Sequence, residues 1–406
     1  MSISRREFLG TAVTIPVIGS LFPEILVPDE DDPLGIRKDF PFLKETTYLN
    51  SAYIALCPLS VVRAGCEFLE AKGKNPYSLG EMVDKTEEVR RQFAAFVGVS
   101  PDEIGFISST SEGENIVVHS IDFGSGENVV IDDLHYASSF AIYKHLEKIK
   151  GVELRIVVNR EGRVSVEDFA SVIDRKTRLV SVAWVSHQNG FRQDLKALAE
   201  LAHANGAYLY TDAIQGVGMF PMNLMATGVD FLAAGTYKWL LAGFGIAPFF
   251  VRKEHLDRIQ PDRRGHLHIE KDLGDYRYNI YRSAKKYEYS TLSFVSIYQL
   301  GASLAYLEKV GVDRIEKHTV DLAWKLRKGL TDLGFRLFTP EGNKTSIVTF
   351  FSPRSYEETS KIFETAKVQV SFRGENRMQV RVSPALFNNT NDIDHFLNVA
   401  ASLKNL

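Results

Sequence analysis

The stretch "VDFLAAGTYKWLLAGFGIAPFFV", residues 229–251, is almost wholly apolar yet carries one lysine, Lys238. Burial disfavours an ammonium ion, so a lysine held there titrates downward, and a neutral amine is a nucleophile. One chemistry open to it is a Schiff base with a carbonyl. Its other use is to end a strand and reach its amine out to water. Upstream, "AYLYTDAIQ" (207–215) puts Asp212 near the end of a second apolar run, with Gln215 just after it. Ligands of open parallel sheets gather at the carboxyl ends of the strands. If both runs belong to one sheet, an acid and an amine face one crevice. "FISSTSEGENIVVHSI" (106–121) sets Ser109, Thr110 and Ser111 between a strand and a helix, with Glu112 in the first turn. Hydroxyls at a helix start suit an anion, and serve equally as an ordinary N-cap. "NVVIDDLHYASSF" (128–140) places His135 and Tyr136 just past another strand, where either ring can stack on a flat ligand.

An amine, an acid, a stacking ring and an anion site in one crevice suit pyridoxal phosphate. The lysine holds the cofactor, the carboxylate keeps the pyridine nitrogen protonated so that the ring accepts electrons, and the phosphate takes the helix start.

The elements that must position these residues alternate. "LRIVVN" precedes "SVEDFASVID", a helix opened by a Ser cap. "TRLVSVAWVS" reads as a buried strand, "DLKALAELAHANG" as an amphipathic helix closed by Gly206, and "AYLYTDAIQ" and "VDFLAAGTYKW" as further strands. This alternation predicts a mostly parallel, doubly wound α/β sheet in a large domain over residues 31–290, with an N-terminal arm, 31–60, lining the site. Beyond Thr291 two long helices, "SFVSIYQLGASLAYLEKVG" and "VDRIEKHTVDLAWKLRKGLTDLG", lead to short strands "FRLF", "SIVTFF", "KVQVSF" and "MQVRVS" and a last helix. That predicts a smaller α+β domain over 291–406.

With a net charge of −3 over 406 residues, bulk electrostatics offer no case for nucleic acid. Two cysteines, Cys57 and Cys66, make no disulfide framework and no metal-ligand spacing. His266 and His268 in "RRGHLHIEK" lack a third ligand, so no metal is expected. "DYRYNIYRSAKKYEY" (275–289) is expected to be a long loop near the mouth of the site. Residues 1–30 form a leader in which Arg5 and Arg6 precede a mildly apolar run too short to span a membrane. A twin-arginine signal is expected, giving a periplasmic or exported protein; uncut, the segment can act as an anchor.

Seven motifs in order, "YLNSAYIALCP", "STSEGENIVV", "DLHYASS", "VSHQNGFRQDLKALAELAHANGAYLYTDAIQGVG", "GTYKWLLAGFG", "KYEYSTLSF" and "VRVSPALFNNTNDID", resemble the class V aminotransferase group of fold-type I pyridoxal-phosphate enzymes. That group includes cysteine desulfurases, kynureninase and isopenicillin-N-epimerase-like proteins, and the resemblance runs over roughly residues 40–400. It implies pyridoxal 5′-phosphate as cofactor, an amino-acid substrate and a homodimer. By the same resemblance Lys238 is the cofactor lysine, Asp212 the partner of the pyridine nitrogen, and Gln215 and His187 neighbours of the ring oxygen. Tyr136 stacks on the ring, and Thr110, Ser111, Thr236 and Tyr237 serve the phosphate. Thr291 serves the phosphate of the neighbouring subunit. Arg381 holds the substrate carboxylate, and Asn50 and Tyr53 line the substrate pocket. Cysteine desulfurases carry a mobile cysteine shortly before that arginine; here "VSFRGENRMQVRVS" has none. The expectation is therefore an epimerase-like or C–S/β-elimination lyase-like enzyme rather than a persulfide-type desulfurase. The alternatives are an aminotransferase or desulfurase of the same family, or a binding protein that kept the fold.

Overall fold

A computed structural model describes residues 31–374 and 378–404. The leader with Arg5 and Arg6 lies outside the described residues, as do residues 375–377 of the segment before Arg381.

The chain's strands are β1 (Thr47–Tyr48), β2 (Ile104–Ile107), β3 (Asn128–Asp132), β4 (Glu153–Val157), β5 (Thr177–Ala183), β6 (Tyr208–Asp212), β7 (Phe231–Ala233), β8 (Ala247–Val251), β9 (Ile269–Gly274), β10 (Arg277–Ile280), β11 (Val348–Phe351), β12 (Val368–Gln369), β13 (Ser371–Arg373) and β14 (Gln379–Val382). Seven of them form the main sheet, in the order β2-β8-β7-β6-β5-β3-β4. The pairs from β7 to β4 are parallel, whereas β8 runs against both its neighbours. The sheet is mostly parallel and α/β, as the alternation predicted. Successive side chains of a strand point to opposite faces. Val130, Leu209, Leu232 and Phe250 accordingly enter one core, and Val129, Tyr210, Phe231 and Phe249 another. Both faces are covered, which is why these strands read as continuous apolar runs.

A separate three-stranded antiparallel sheet, β11-β14-β13, packs with the helices Val312–Asp332 and Thr390–Ala401 around a third core that includes Leu326, Phe350, Val380 and Phe396. The arm ties this unit to the main sheet. β1 pairs in parallel with β12, and Arg37 bridges to Asp392 at 2.8 Å. Farther along, the Ala55 N–H donates to the Tyr237 carbonyl at 3.1 Å.

Two expectations are corrected. "FRLF" is not a strand: Leu337 alone makes a bridge, to Phe350, because Gly334 in the left-handed region and Pro340 leave too short a run between them. "DYRYNIYRSAKKYEY" is not a long loop. Its first part supplies the turn and second strand of the antiparallel hairpin β9-β10, with Asp275 and Tyr276 at φ 52° and 58°. Two consecutive left-handed residues are what a twisted two-residue turn requires. The hairpin is exposed on both faces, so its sequence carries none of the apolar alternation that marks a half-buried strand.

Candidate active site

Asp212 is the last residue of β6, flanked in register by Ala183 of β5 and Ala233 of β7. The chain leaves β7 and turns into the loop that carries Lys238. That loop is stapled from within. The Thr236 hydroxyl donates to the Gly243 carbonyl at 2.6 Å and to that of Ile246 at 3.2 Å, and the Ala242 N–H returns to the Thr236 carbonyl at 3.0 Å. Leu241 sits at φ 51°, a conformation uncommon for a non-glycine residue, and its N–H closes onto the Lys238 carbonyl. The lysine thus projects from a tightly bonded turn into a pocket that Asp212 also lines.

Lys238 and Asp212 are 7 % and 8 % exposed and make no ion pair with each other or with any other described residue. Burial pushes the Lys238 amine down to about 7; Asp212 pulls the other way, and Arg381 and Arg373 add to the fall. Burial pushes the Asp212 carboxyl up to about 6, against the Ile214 N–H that it accepts at 3.0 Å and the attraction of Lys238. For both groups desolvation outweighs their mutual attraction.

The same pocket is lined by hydroxyls and rings that the sequence singled out: Ser109, Thr110, Ser111, Tyr136, His187 and Tyr237. Ser109 caps the helix Thr110–Ser120 by accepting the Glu112 N–H. A helix start leaves its first N–H groups without intrahelical partners. The Thr110 hydroxyl accepts the Gly235 N–H at 3.1 Å, joining the helix start to the lysine loop. Tyr136 stands just before the helix Ala137–Lys150, and its ring meets that of His187 edge-on, with centroids 5.0 Å apart. Of the two neighbouring rings, Tyr136 lines the pocket and His135 is buried.

His135 accepts the Tyr136 N–H on Nδ1 at 2.7 Å, so its proton sits on Nε2, which faces the Ser181 hydroxyl at 3.1 Å. Burial pushes it down to about 3, keeping it neutral. Ser181 and Ser139 donate to the two oxygens of Glu114, whose carboxyl burial raises to about 7.

Five predicted residues are not part of the pocket wall around the lysine. Thr236 spends its hydroxyl inside the loop, as above. Thr291 is exposed, in a neighbouring groove with Ser108, Glu112 and Gly245. Tyr53 is 57 % exposed. Asn50 accepts the Ser371 hydroxyl at 2.5 Å, and Ser371 in turn accepts from Arg381 at 3.1 Å. Arg381, fully buried on β14, also donates to the carbonyl of His187, a residue of the wall, at 2.7 Å. Gln215 does line the pocket, but its amide donates to the Ala52 carbonyl and accepts from Trp239, both at 2.8 Å. Tyr237 lies flat on Phe244, with ring centroids 4.6 Å apart. Sequence reasoning missed Arg373, Glu114 and Ser181. Arg373 was detectable in principle, because it lies two residues after Ser371 on a strand beside Arg381.

A buried amine with no hydrogen bond or ion pair among the described residues, a buried acid in the same pocket, hydroxyls at a helix start and the His187 Nδ1, likewise unbonded among those residues, are a donor set that fits a flat, phosphorylated heteroaromatic aldehyde. The fold and this pocket define a fold-type I pyridoxal-phosphate enzyme. The model of the aminotransferase class-V family matches residues 47–396, and the chain belongs to that family, with pyridoxal 5′-phosphate as its cofactor. It is 31 % identical over 325 residues to a probable cysteine desulfurase of Methanothermobacter thermautotrophicus, covering 78 % of this chain and 80 % of the relative. It is 27 % identical over 371 residues to an uncharacterized aminotransferase of Bacillus subtilis, covering 91 % and 98 %. The apo structure of a cysteine desulfurase from Thermococcus onnurineus superposes with a TM-score of 0.85 at 25 % identity, covering 92 % of this chain and 99 % of that one.

Proposed function

We propose that this enzyme acts at Cα or Cβ of an amino acid, as an epimerase-like or C–S/β-elimination lyase-like member of its family, without a cysteine persulfide. The observation that carries this is a pocket holding a lysine of lowered proton affinity, bordered through His187 by the buried Arg381, with neither cysteine in its wall. Cys57 is half-buried and contacts the Ala242 carbonyl; Cys66 is exposed on the helix Leu59–Lys74.

When bound, pyridoxal phosphate supplies an electron sink for a carbanion at the substrate's Cα. Thr110, Ser111 and the helix start would hold its phosphate, Asp212 would pair with its ring nitrogen, and Tyr136 would supply an aromatic ring to stack on it. Arg381 orients the substrate by a bidentate grip on its carboxylate. Lys238, with its proton affinity lowered by burial, takes and returns a proton at Cα.

Incubating the holoenzyme with a panel of amino acids, with products read by mass spectrometry, tests the reading. Lys238→Ala is expected to abolish the near-visible absorbance of the cofactor-bound wild type and all turnover. Cys57→Ser and Cys66→Ser are expected to keep activity within about two-fold; loss of turnover in either would return the desulfurase reading.

A homodimer and export by the leader belong to the same proposal. Sedimentation of the full chain tests the first, and the compartment reached by an Arg5→Lys, Arg6→Lys chain tests the second.

A further inference from the structure

We infer that the substrate is an amino acid whose side chain ends in a second acidic group, with Arg373 taking that group while Arg381 takes the α-carboxylate. This rests on the role given to Arg381 above. β13 and β14 are antiparallel, with Ser371 opposite Arg381 and Arg373 opposite Gln379. Residues two apart on a strand share a face. Arg373 therefore lies on the face where the Ser371 hydroxyl meets Arg381 Nη2 at 3.1 Å. Arg381 is fully buried, its Nε has no partner, and it makes no ion pair with any described residue. Arg373 likewise has no hydrogen bond or ion pair among the described residues. Elsewhere the chain treats a buried guanidinium differently: Arg90 meets both oxygens of Glu288, at 2.5 and 3.0 Å.

Two guanidinium groups on one face without a carboxylate repel each other. Burial and Arg373 together push Arg381 down to about 9, and burial also lowers Arg373. Arg381 donates to the carbonyl of His187, a residue of the pocket wall, at 2.7 Å, which sets the pair's face directly behind that wall. One carboxylate neutralises one guanidinium; the second calls for a second anion on the same ligand. Aspartate, glutamate and sulfinate analogues are of this class.

The test compares aspartate with asparagine and glutamate with glutamine on the holoenzyme, following cofactor absorbance, in wild type, Arg373→Gln and Arg373→Lys. A second readout needs no turnover: calorimetry of succinate against butyrate on the cofactor-free protein. The wild type is expected to bind each acid at least ten-fold more tightly than its amide. Arg373→Gln should lose most of that preference and affect the amides far less, and Arg373→Lys should restore part of it. Equal affinity for acid and amide, or an equal loss of both in Arg373→Gln, overturns the inference. If neutral amino acids react and acids show no advantage, this inference falls and the proposed function stands. If no amino acid perturbs the cofactor, the proposed function falls, and the succinate arm still decides whether the arginines form a two-anion site.

Discussion

Lys238 and Asp212 share a pocket without direct contact, and each is governed by the low dielectric around it. The amine's value of about 7 predicts that an amine-reactive reagent labels Lys238 of the cofactor-free protein with a midpoint near pH 7, far below surface lysines. Asp212→Asn removes an attraction that raises this value, so the midpoint should fall further; a rise would contradict the assignment. The stability consequence has a definite sign. The unfolded chain keeps the Lys238 proton up to about 10.5, so between about 7 and 10.5 it binds more protons than the folded chain and stability rises with pH. Asp212 acts oppositely between 3.8 and about 6, where the folded chain holds the extra proton and stability falls as pH rises. That Lys238, Asp212 and Tyr136 meet in one pocket was legible, because strand ends can be read from apolar runs. The setting of Thr236 was not: a hydroxyl beside a functional residue looks like a ligand group, and only the loop's closure shows it bonded to Gly243.

β2, the strand that leads to Ser109, Thr110 and Ser111, is anchored from behind. Arg90 of the helix Leu79–Val97 donates to the Ile104 carbonyl of β2 at 2.7 Å and pairs with Glu288, which accepts the Phe106 N–H at 2.8 Å. Both side chains are 3 % exposed. Glu288→Gln removes the buried one of Arg90's two charge partners and leaves only the more exposed Glu87, at 3.0 Å, so it is expected to cost up to about 3–5 kcal/mol in denaturant unfolding. Gly216 sets a second constraint at this scale: an added Cβ would lie 2.1 Å from the Trp184 ring. Gly216→Ala is expected to destabilise by about 1–3 kcal/mol, read as a lower denaturation midpoint. The α/β alternation was legible because covered strands are continuous apolar runs. The β9-β10 hairpin was not, because backbone pairing between exposed strands leaves no mark in hydrophobicity.

At the scale of the whole molecule, cofactor binding to the folded state alone raises stability by mass action. At about 100 times its dissociation constant, pyridoxal phosphate should add about 2.7 kcal/mol, seen as a higher melting temperature. Lys238→Ala should keep only part of that gain. The arm described above has a further consequence. Thr47 pairs with Val368, and Asn50 reaches Ser371 across 321 positions of sequence. The ribosome must therefore add 321 residues after Asn50 before its partner Ser371 exists to be found. Contacts so distant along the chain form slowly, so the arm is expected to dock on β12 and β13 late in folding.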